Sequence, residues 1–292
     1  MNDIKIAAAI FNSPVGKNRE NLDRMAAWIA AAGKQGAEII CFPELCITGY
    51  CTRDDIRPAA EPIPGPSSQY LVQLARDNQI SILAGLAERD ESGNIFASQL
   101  VVTPEGALGV YRKIHIAPPE RDLFLPGKKV PLFEISGSKI GVQLCYDAHF
   151  PDLSTCMAVE GADILFLPHA SPRGTPNEKY NSWMRHLTAR AFDNGIFIVA
   201  CNQTGDNQNG LRFPGVAVMI GPDGQVLDKQ LSDMESILVV DLKSEVLAAV
   251  RNHRMRYFLP NRRPNIYQSR IDMQRLTSTS NRKTPEREDT ND

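Results

Sequence analysis

The chain has 292 residues, of which 42% are hydrophobic, and its formal net charge is −2. These values argue against a basic nucleic-acid-binding surface or an acidic tail, and they allow one large α/β domain or two ordinary ones. No stretch approaches the roughly 20 apolar residues of a membrane span, and the N-terminal MNDIKIAAAIFN is too short and polar for a signal peptide. Six cysteines in such a chain indicate reduced thiols, so we predict a soluble cytoplasmic protein of the size of an enzyme, without membrane or nucleic-acid partners.

The first third of the chain predicts alternating strands and helices. Residues 4–11 are apolar and typical of a strand, and apolar residues recur at helical spacing from Leu22 to Ala32 until two glycines end the helix. EIICFPEL predicts a short buried strand that stops at Pro43, because proline cannot donate to a sheet ladder. Ser67 is the predicted cap of a second helix, which leads into the strand ISILAGL.

The middle of the chain predicts hairpins as well as crossovers. NIFASQLVVTPEGALGVYRKIHI indicates two strands joined by a turn at residues 104–106. KIGVQLCYD predicts a strand, LSTCMAVEGA a helix and DILFLPHA another strand. A single further helix is predicted to carry five residues on one face: Tyr180, Trp183, Met184, Leu187 and Ala191.

The last third predicts the strand IFIVACNQ, a hairpin in VAVMIGPDGQVL and the strand SILVVDL. Strands that follow helices favour parallel crossovers, whereas hairpins require antiparallel neighbours, so the sheet should be mixed. No linker divides residues 1–270, which we predict to be one domain. Residues 271–292 are polar and predict a flexible tail.

Three polar residues stand at the ends of predicted apolar strands. Glu44 follows IICFP, Lys113 follows GVYR, and Cys145 follows IGVQL. Strand ends are where the sites of open α/β sheets are usually assembled. An ammonium lowers the pKa of a nearby thiol and stabilises an oxyanion, and a carboxylate can accept the thiol proton and later protonate a leaving amine. Each residue taken alone is more often structural, because free cysteines are commonly buried.

The segments around these residues carry a family resemblance. In order and approximate separation, FPELCITGY, YRKIHI and GVQLCYDAHFPDL resemble the three signature blocks of the nitrilase superfamily, the carbon–nitrogen hydrolases. The resemblance implies that Glu44 is the general base, Lys113 the oxyanion stabiliser and Cys145 the nucleophile. It also implies that Glu120 is a second glutamate that positions the substrate; a loop carboxylate paired with an arginine is the alternative. No metal or organic cofactor is implied.

The resemblance further implies a fold, an assembly and a reaction. The expected fold is an α/β, four-layer α-β-β-α sandwich with two mixed β-sheets, and the expected assembly is a homodimer or a higher homo-oligomer. Cys-Tyr-Asp resembles the amidase branches more than the Cys-Trp-Glu of nitrilases proper. We therefore predict hydrolysis of a small amide to a carboxylic acid and ammonia through a cysteine thioester. Carbamoyl hydrolysis, nitrile hydrolysis and acyl transfer are the alternatives. A non-catalytic binding protein is disfavoured, since all three catalytic positions are filled.

Several residues near the predicted strand ends are candidates for substrate binding. The backbone N–H of Tyr146 is expected to be a second oxyanion donor. His149 and His169 could line a pocket, with a structural role as the alternative. A substrate carboxylate would need a cation, for which Arg173 and Lys179, in ASPRGTPNEKY, are candidates.

Two remaining features are interpreted from composition and spacing. RMRYFLPNRRPNIY has the aromatic and arginine content of a subunit interface, and a strap over its own domain is the alternative. Cys41, Cys46 and Cys51 are evenly spaced, but the gap differs from that of common zinc knuckles and no paired histidines accompany them. We therefore predict no metal site.

Overall fold

The computed structural model describes residues 1–267 of the chain. Residues 1–257 form one unit, and a second unit begins at Phe258. The described residues of the second unit include the 3₁₀ turn Leu259–Asn261. The predicted tail, residues 271–292, lies outside the described residues, and the single domain over residues 1–270 stays a prediction.

The strands of the first unit form two six-stranded sheets and a short hairpin. In chain order they are β1 (Ile4–Ile10), β2 (Ile39–Cys41), β3 (Ser81–Arg89), β4 (Ile95–Val102), β5 (Leu108–Arg112), β6 (Leu132–Ile135), β7 (Ser138–Val142), β8 (Ile164–His169), β9 (Phe197–Asn202), β10 (Gly205–Asp206), β11 (Arg212–Phe213), β12 (Gly215–Ile220), β13 (Val226–Ser232) and β14 (Ser236–Leu242).

Both large sheets are mixed, as predicted. The first has the strand order β14-β1-β2-β3-β4-β5, with β1, β2 and β3 parallel and the other pairings antiparallel. The second has the order β13-β12-β9-β8-β7-β6, with β7, β8 and β9 parallel. Neighbouring parallel strands end at the same edge of a sheet. In the first sheet, the residues that follow β2 therefore lie at the edge where β1 and β3 also end. In the second sheet, the residues that follow β7 and β8 lie at one common edge.

The helices of the first unit are α1 (Asn18–Lys34), α2 (Pro66–Asn78), α3 (Pro151–Val159), α4 (Pro176–Met184), α5 (Leu187–Asn194) and α6 (Ser244–Arg251). α1 and α2 cover the outer face of the first sheet, where Met25, Ile29 and Leu71 are buried with Ile82 and Leu100. α5 contacts β9 and β12 of the second sheet, and α3 packs beside α5. None of the helices in residues 1–267 has both the length and the apolar character that crossing a membrane requires.

The inner faces of the two sheets pack against each other. The Cys41 sulfur on β2 lies 4.0 Å from the Cys201 sulfur on β9. A Cβ atom at Gly215 on β12 would lie 2.1 Å from the Ser232 carbonyl oxygen on β13 and 2.5 Å from the side chain of Ile10 on β1, so β12 packs closely against the first sheet at this glycine. The layers are therefore helix, sheet, sheet and helix, and the predicted four-layer α-β-β-α sandwich is confirmed.

The prediction of one helix through residues 180–191 is wrong. α4 ends at Met184 and α5 begins at Leu187, because the backbone of His186 leaves the helical conformation with φ −132°. The Thr188 hydroxyl donates to the Met184 carbonyl at 2.8 Å, a side-chain bond that competes with helix continuation. The apolar spacing runs through the break, so the pattern did not reveal it.

Ser67 is also not the cap that we predicted. α2 begins at Pro66 behind Gly65, and Ser68 exchanges hydrogen bonds with the Gly65 backbone at 2.8 and 2.9 Å. The Ser67 hydroxyl instead donates to Glu61 at 2.8 Å. A proline at the first helical position moved the boundary, since its fixed φ suits a helix start.

Candidate active site

The predicted catalytic residues Glu44, Lys113 and Glu120 meet in one buried cluster. The Lys113 ammonium donates to Glu44 Oε1 at 2.7 Å and to the two Glu120 carboxylate oxygens at 2.9 and 3.1 Å. The three side chains are at most 4% exposed. Lys113 directly follows β5 and Glu44 follows β2, so strand ends that are far apart in sequence bring these groups together.

The structure fixes Glu44 through its backbone and its second carboxylate oxygen. The Ala170 N–H, just beyond β8, donates to Glu44 Oε2 at 3.1 Å, and the Gln203 side chain donates to the Glu44 carbonyl at 2.8 Å. β3 passes so close that a Cβ atom at Gly85 would lie 2.4 Å from the Leu45 nitrogen. Burial raises the pKa of Glu44 to about 7, although Lys113 opposes the shift. A carboxyl with this pKa can exchange a proton near neutral pH.

Glu120 is the last residue of the 3₁₀ turn Pro118–Glu120, and its carboxylate accepts hydrogen bonds from Lys113 and from two further donors. The Tyr50 hydroxyl donates to Glu120 Oε1 at 2.9 Å, and the Ala117 N–H donates to Glu120 Oε2 at 3.2 Å. Burial alone lowers the pKa of Lys113, but Glu44 and Glu120 together raise it above its ordinary value. Lys113 is therefore a permanent ammonium held between two carboxyl groups.

Cys145 begins a 3₁₀ turn, Cys145–His149, shortly after β7 ends at Val142. Its φ is +41°, in the left-handed region that residues with a side chain rarely adopt. Such a conformation costs about 1–3 kcal/mol and is found where the surrounding structure imposes it, often at active sites. The Cys145 side chain is half-buried, unlike the thiols of the sheet interior.

The charges around Cys145 differ from the simplest sequence-based expectation, in which a lysine lowers the pKa of the thiol. Burial raises the pKa of Cys145 well above its ordinary value, and the carboxylates of Glu44 and Glu120 add to this shift, while Lys113 and the Ala170 N–H oppose it. Burial is the largest cause, and the two carboxylates paired with the Lys113 ammonium offset its lowering effect. At neutral pH the resting sulfur is a thiol, so it needs a base to become a nucleophile.

Asp147 supports the turn that carries Cys145. The buried carboxylate accepts hydrogen bonds from Tyr111 Oη at 2.7 Å and from the Leu144 N–H at 3.0 Å. Its other oxygen accepts from the His115 N–H and contacts His115 Nδ1, both at 2.8 Å. These bonds join the Cys145 turn to the segment that follows Lys113. Sequence reasoning missed this role; the signal was an aspartate two positions after the cysteine.

Other contributors left no separate signal in the sequence. Tyr50 lies within the quoted FPELCITGY segment, but only the fold shows that its hydroxyl reaches Glu120. The Ala170 N–H is a backbone group, for which no residue type gives a pattern. Gln203 follows β9 in sequence and reaches Glu44 across the molecule.

Tyr146 and His149 lie beside Cys145 in an aromatic group at the same turn. Their rings are 5.7 Å apart, and the Tyr146 ring is 5.4 Å from that of Phe150. Phe150 stacks on His115 at 3.7 Å, and the exposed His149 lies 4.6 Å from His186. Rings placed this way can form the wall of a substrate pocket, so the substrate-binding roles of Tyr146 and His149 stay predictions that the geometry allows.

His169 and Arg173 make their described contacts away from the cluster of Glu44, Lys113 and Glu120. His169 is buried, its Nδ1 lies 2.6 Å from the Leu167 carbonyl, and its ring lies 4.1 Å from that of Trp183. Burial holds the pKa of His169 well below its ordinary value. Arg173 is exposed, and its backbone N–H donates to the Arg212 carbonyl at 3.1 Å. Their predicted substrate-binding roles stay predictions.

The three evenly spaced cysteines lie in different surroundings. Cys41 approaches Cys201, the Cys46 sulfur accepts a hydrogen bond from the Gly85 N–H at 3.3 Å, and the Cys51 sulfur lies 3.2 Å from the Asn209 side-chain oxygen. In the part of the chain that the structure describes, no group of three or more His, Cys, Asp or Glu side chains could hold a metal ion.

The sequence of the chain is similar to those of known carbon–nitrogen hydrolases. The family model described as carbon-nitrogen hydrolase matches residues 5–252. A nitrilase of Pyrococcus abyssi is 32% identical over 86% of this chain and 93% of its own length. An (R)-stereoselective amidase of Pseudomonas sp. is 31% identical over 81% of this chain and 84% of its own. An ω-amidase of Xenopus tropicalis is 30% identical over 82% and 88%, respectively.

Solved structures share the fold. A protein of Xanthomonas campestris described as a CN-hydrolase superfamily protein has a TM-score of 0.80 and 23% identity, over 90% of this chain and 98% of its own. A mutant of the amidase from Nesterenkonia sp. AN1 has a TM-score of 0.77 and 25% identity, over 91% and 99%. That mutant shows the Michael addition of acrylamide at its active-site cysteine. The predicted resemblance to the superfamily is confirmed.

Proposed function

Because the chain belongs to the carbon–nitrogen hydrolase family, we propose that it hydrolyses a small amide to a carboxylic acid and ammonia through a thioester on Cys145. The observation that carries this proposal is the buried ammonium of Lys113, which bridges Glu44 and Glu120. The backbone of Cys145 is strained, and the charges of these three residues act on the pKa of its thiol. A base, a fixed cation and a half-buried thiol are the groups that covalent amide hydrolysis needs. The amidases among the similar proteins support the same reaction class.

In the first half-reaction, Glu44 accepts the thiol proton as Cys145 attacks the amide carbonyl carbon. A carbon–sulfur bond forms, and the carbonyl oxygen becomes an oxyanion. The two bonds from Lys113 to Glu120 end on one carboxylate, so an N–H of Lys113 can turn to the oxyanion, together with the Tyr146 N–H. Glu44 then returns the proton to the amide nitrogen, the carbon–nitrogen bond breaks, and ammonia leaves a thioester behind.

In the second half-reaction, water attacks the thioester carbonyl. Glu44, again ionised, accepts a proton from the water, and the same donors stabilise the second oxyanion. The carbon–sulfur bond breaks, the proton passes to the sulfur, and the carboxylic acid leaves. A Glu44 pKa of about 7 suits both directions of proton transfer.

The test is a panel of primary amides, N-carbamoyl amino acids and nitriles, with ammonia and the carboxylate product both quantified. We expect equal amounts of ammonia and carboxylate from one or more primary amides. Turnover confined to the carbamoyl compounds or to the nitriles would replace the amide by that substrate class. The absence of ammonia from the whole panel, with folded protein and with amine acceptors added, would contradict the proposal.

The pH dependence of kcat/KM is expected to follow the ionisation of Glu44. Only ionised Glu44 can accept the thiol proton, and burial raises the pKa of Glu44 to about 7. We therefore expect kcat/KM to rise about tenfold per pH unit below about pH 7 and to level off above it. Initial rates at low substrate concentration across this range measure the profile.

Glu120→Gln tests whether the rise of kcat/KM below about pH 7, the acidic limb of the pH profile, reports the ionisation of Glu44. The negative charge of Glu120 contributes to the raised pKa of Glu44, so its removal should move the limb to lower pH, whatever the effect on the maximal rate. Glu20→Gln, at an exposed position on α1, is the matched control and should leave the limb in place. A limb that stays unmoved in Glu120→Gln would assign it to another group.

A further inference from the structure

The outer face of the first sheet carries a cavity of about 770 Å³, next to Ile63 and shortly before α2. This volume lies within the range of sites that hold small molecules. Val110, in the lining, also packs against the core beneath α1 and α2, which places the cavity on the helix side of the sheet. The apolar part of the lining consists of Ile63, Phe96, Val110, Leu125, Pro126 and Pro131.

The cavity and the catalytic cluster lie on opposite faces of the first sheet. Successive side chains of a strand point to opposite faces. Val110 faces the helices, so Arg112, two residues later on β5, also faces them and lines the cavity. Lys113 points to the inner face, since its N–H continues the ladder to the Ala97 carbonyl at 2.9 Å. Within residues 1–267, the lining of the cavity includes no member of the catalytic cluster.

Arg112 is held rigidly at the floor of the cavity. Its Nε donates to Glu88 Oε2 at 2.8 Å, and its Nη2 donates to Glu88 Oε1 at 2.5 Å. The Glu88 side chain is 5% exposed and also accepts from the Ser98 hydroxyl at 2.6 Å. The Arg112 guanidinium lies 4.2 Å from the centroid of the Phe96 ring. Because these contacts fix the guanidinium in advance, it loses little conformational freedom when a ligand binds.

The guanidinium of Arg112 also keeps unused donors. A guanidinium has five N–H groups, and within residues 1–267 the Nη1 atom of Arg112 makes no hydrogen bond. The Arg112 side chain is 39% exposed, so a ligand in the cavity can accept from this edge. Lys128 and Lys129 line the same cavity and form no ion pair with the described part of the chain.

The two acidic side chains of the lining already have partners. Glu88 is paired with Arg112, and Asp90 accepts three hydrogen bonds from Ser92 and Asn94 in its own turn, at 2.8 to 3.0 Å. The charged groups with unused hydrogen-bonding capacity are therefore cations. Charge complementarity favours an anion in the cavity, and the apolar lining favours an anion with an apolar body.

We propose that this cavity binds a small amphipathic carboxylate at a site separate from the catalytic one. The carboxylate accepts hydrogen bonds from the free edge of Arg112, while Lys128 and Lys129 add positive charge. The apolar body lies against Phe96 and Leu125. The Leu125 side chain is 44% exposed, so the ligand removes a large hydrophobic surface from water. This inference does not depend on the reaction that the catalytic cluster performs.

Isothermal titration calorimetry with octanoate tests the proposal. 1-Octanol and octylammonium have an apolar chain of the same length without the negative charge, and acetate has the charge without the chain. We expect octanoate to bind with a Kd of about 1 mM or lower, at least about tenfold more tightly than each of the other three. If octanol or octylammonium binds as tightly as octanoate, the cavity does not select an anion and the proposal is wrong. The absence of saturable octanoate binding below about 10 mM would also overturn it.

Leu125→Glu tests whether octanoate binds in this cavity. The substitution places a negative charge beside the proposed carboxylate site, so octanoate binding should weaken about tenfold. Leu227→Glu, on β13, is the matched control, because Leu227 is 40% exposed and lies outside the cavity lining. It should leave the Kd within about twofold. Melting temperatures show that both variants are folded, and unchanged octanoate binding in Leu125→Glu would contradict the proposal.

The double variant Glu88→Gln with Arg112→Gln tests the anchor. Two amides replace the ion pair, so neither charge is left buried without a partner. Octanoate binding should weaken at least about tenfold, while octanol binding stays within about threefold. A folded double variant that retained the octanoate affinity would show that Arg112 does not hold the carboxylate, and the proposal would be wrong. If this variant is unstable, Leu125→Glu and its control decide the question.

Discussion

Lys113→Met is expected to lower the free energy of unfolding by about 3–5 kcal/mol and to abolish amide turnover. The substitution leaves Glu44 and Glu120 buried without the ammonium that now lies 2.7 and 2.9 Å from them. Unpaired buried carboxyl groups hold protons more tightly than they do in the unfolded chain, so the folded variant loses stability as the pH rises. The deficit should therefore be larger at about pH 8 than at about pH 5.5. Urea unfolding at both pH values measures it.

Two further variants separate stability from chemistry. Lys243→Met removes an exposed lysine that bonds Asp3 at 3.2 Å, and it should leave the urea unfolding curve close to that of the wild-type protein, because water screens this pair. The double variant Lys113→Met with Glu120→Gln removes one of the two unpaired charges, so part of the lost stability should return while turnover stays absent. Turnover that returned with stability would show that Lys113 acts only as a structural counter-charge.

Cys145→Ala is expected to reduce amide turnover by at least about 10⁴-fold while the protein stays folded, because the variant lacks the sulfur on which the proposed acyl bond forms. Cys156→Ala, at an exposed position on α3, is the matched control and should keep its activity. Ammonia release under saturating substrate measures both variants. Residual activity above about one per cent in Cys145→Ala would assign the nucleophile to another residue.

The strained backbone of Cys145 adds a stability comparison to the same series. Glycine adopts a φ of +41° without a steric penalty, whereas alanine retains it. Cys145→Gly should therefore be about 1 kcal/mol more stable than Cys145→Ala in urea unfolding. Equal stability of the two variants would mean that the turn relaxes when the thiol is removed.

Hydrophobic periodicity predicted most of the fold, because β1 to β4 and β7 to β9 are largely buried runs bounded by turn residues. It missed β6 and α6, which are short and only partly buried, and the small hairpin of β10 and β11. It also joined α4 to α5, since the break at His186 depends on a local side-chain bond. The two-sheet sandwich came from the family resemblance, and the strand order was not predicted, because no local pattern records which strands pair.

The candidate site was predictable where residue type and strand end coincided. Glu44, Lys113 and Cys145 could be proposed in this way, and the family resemblance added Glu120. The pairing of one ammonium with two carboxylates depends on distances between segments far apart in sequence. For that reason the raised pKa of the Cys145 thiol, in which burial and the two carboxylates outweigh the lowering effect of Lys113, could not be inferred from the sequence. A homo-oligomeric assembly and a cytoplasmic location stay predictions.

The most direct test of the central claim, a thioester on Cys145, is the partition of the acyl group between water and hydroxylamine. The amide, the methyl ester and a thioester of one acid are each supplied at a fixed hydroxylamine concentration, and the ratio of hydroxamate to carboxylate is measured. A common acyl-enzyme predicts the same ratio from all three, because the leaving group has departed before the acceptor attacks. A ratio that changes with the leaving group would contradict a common thioester intermediate.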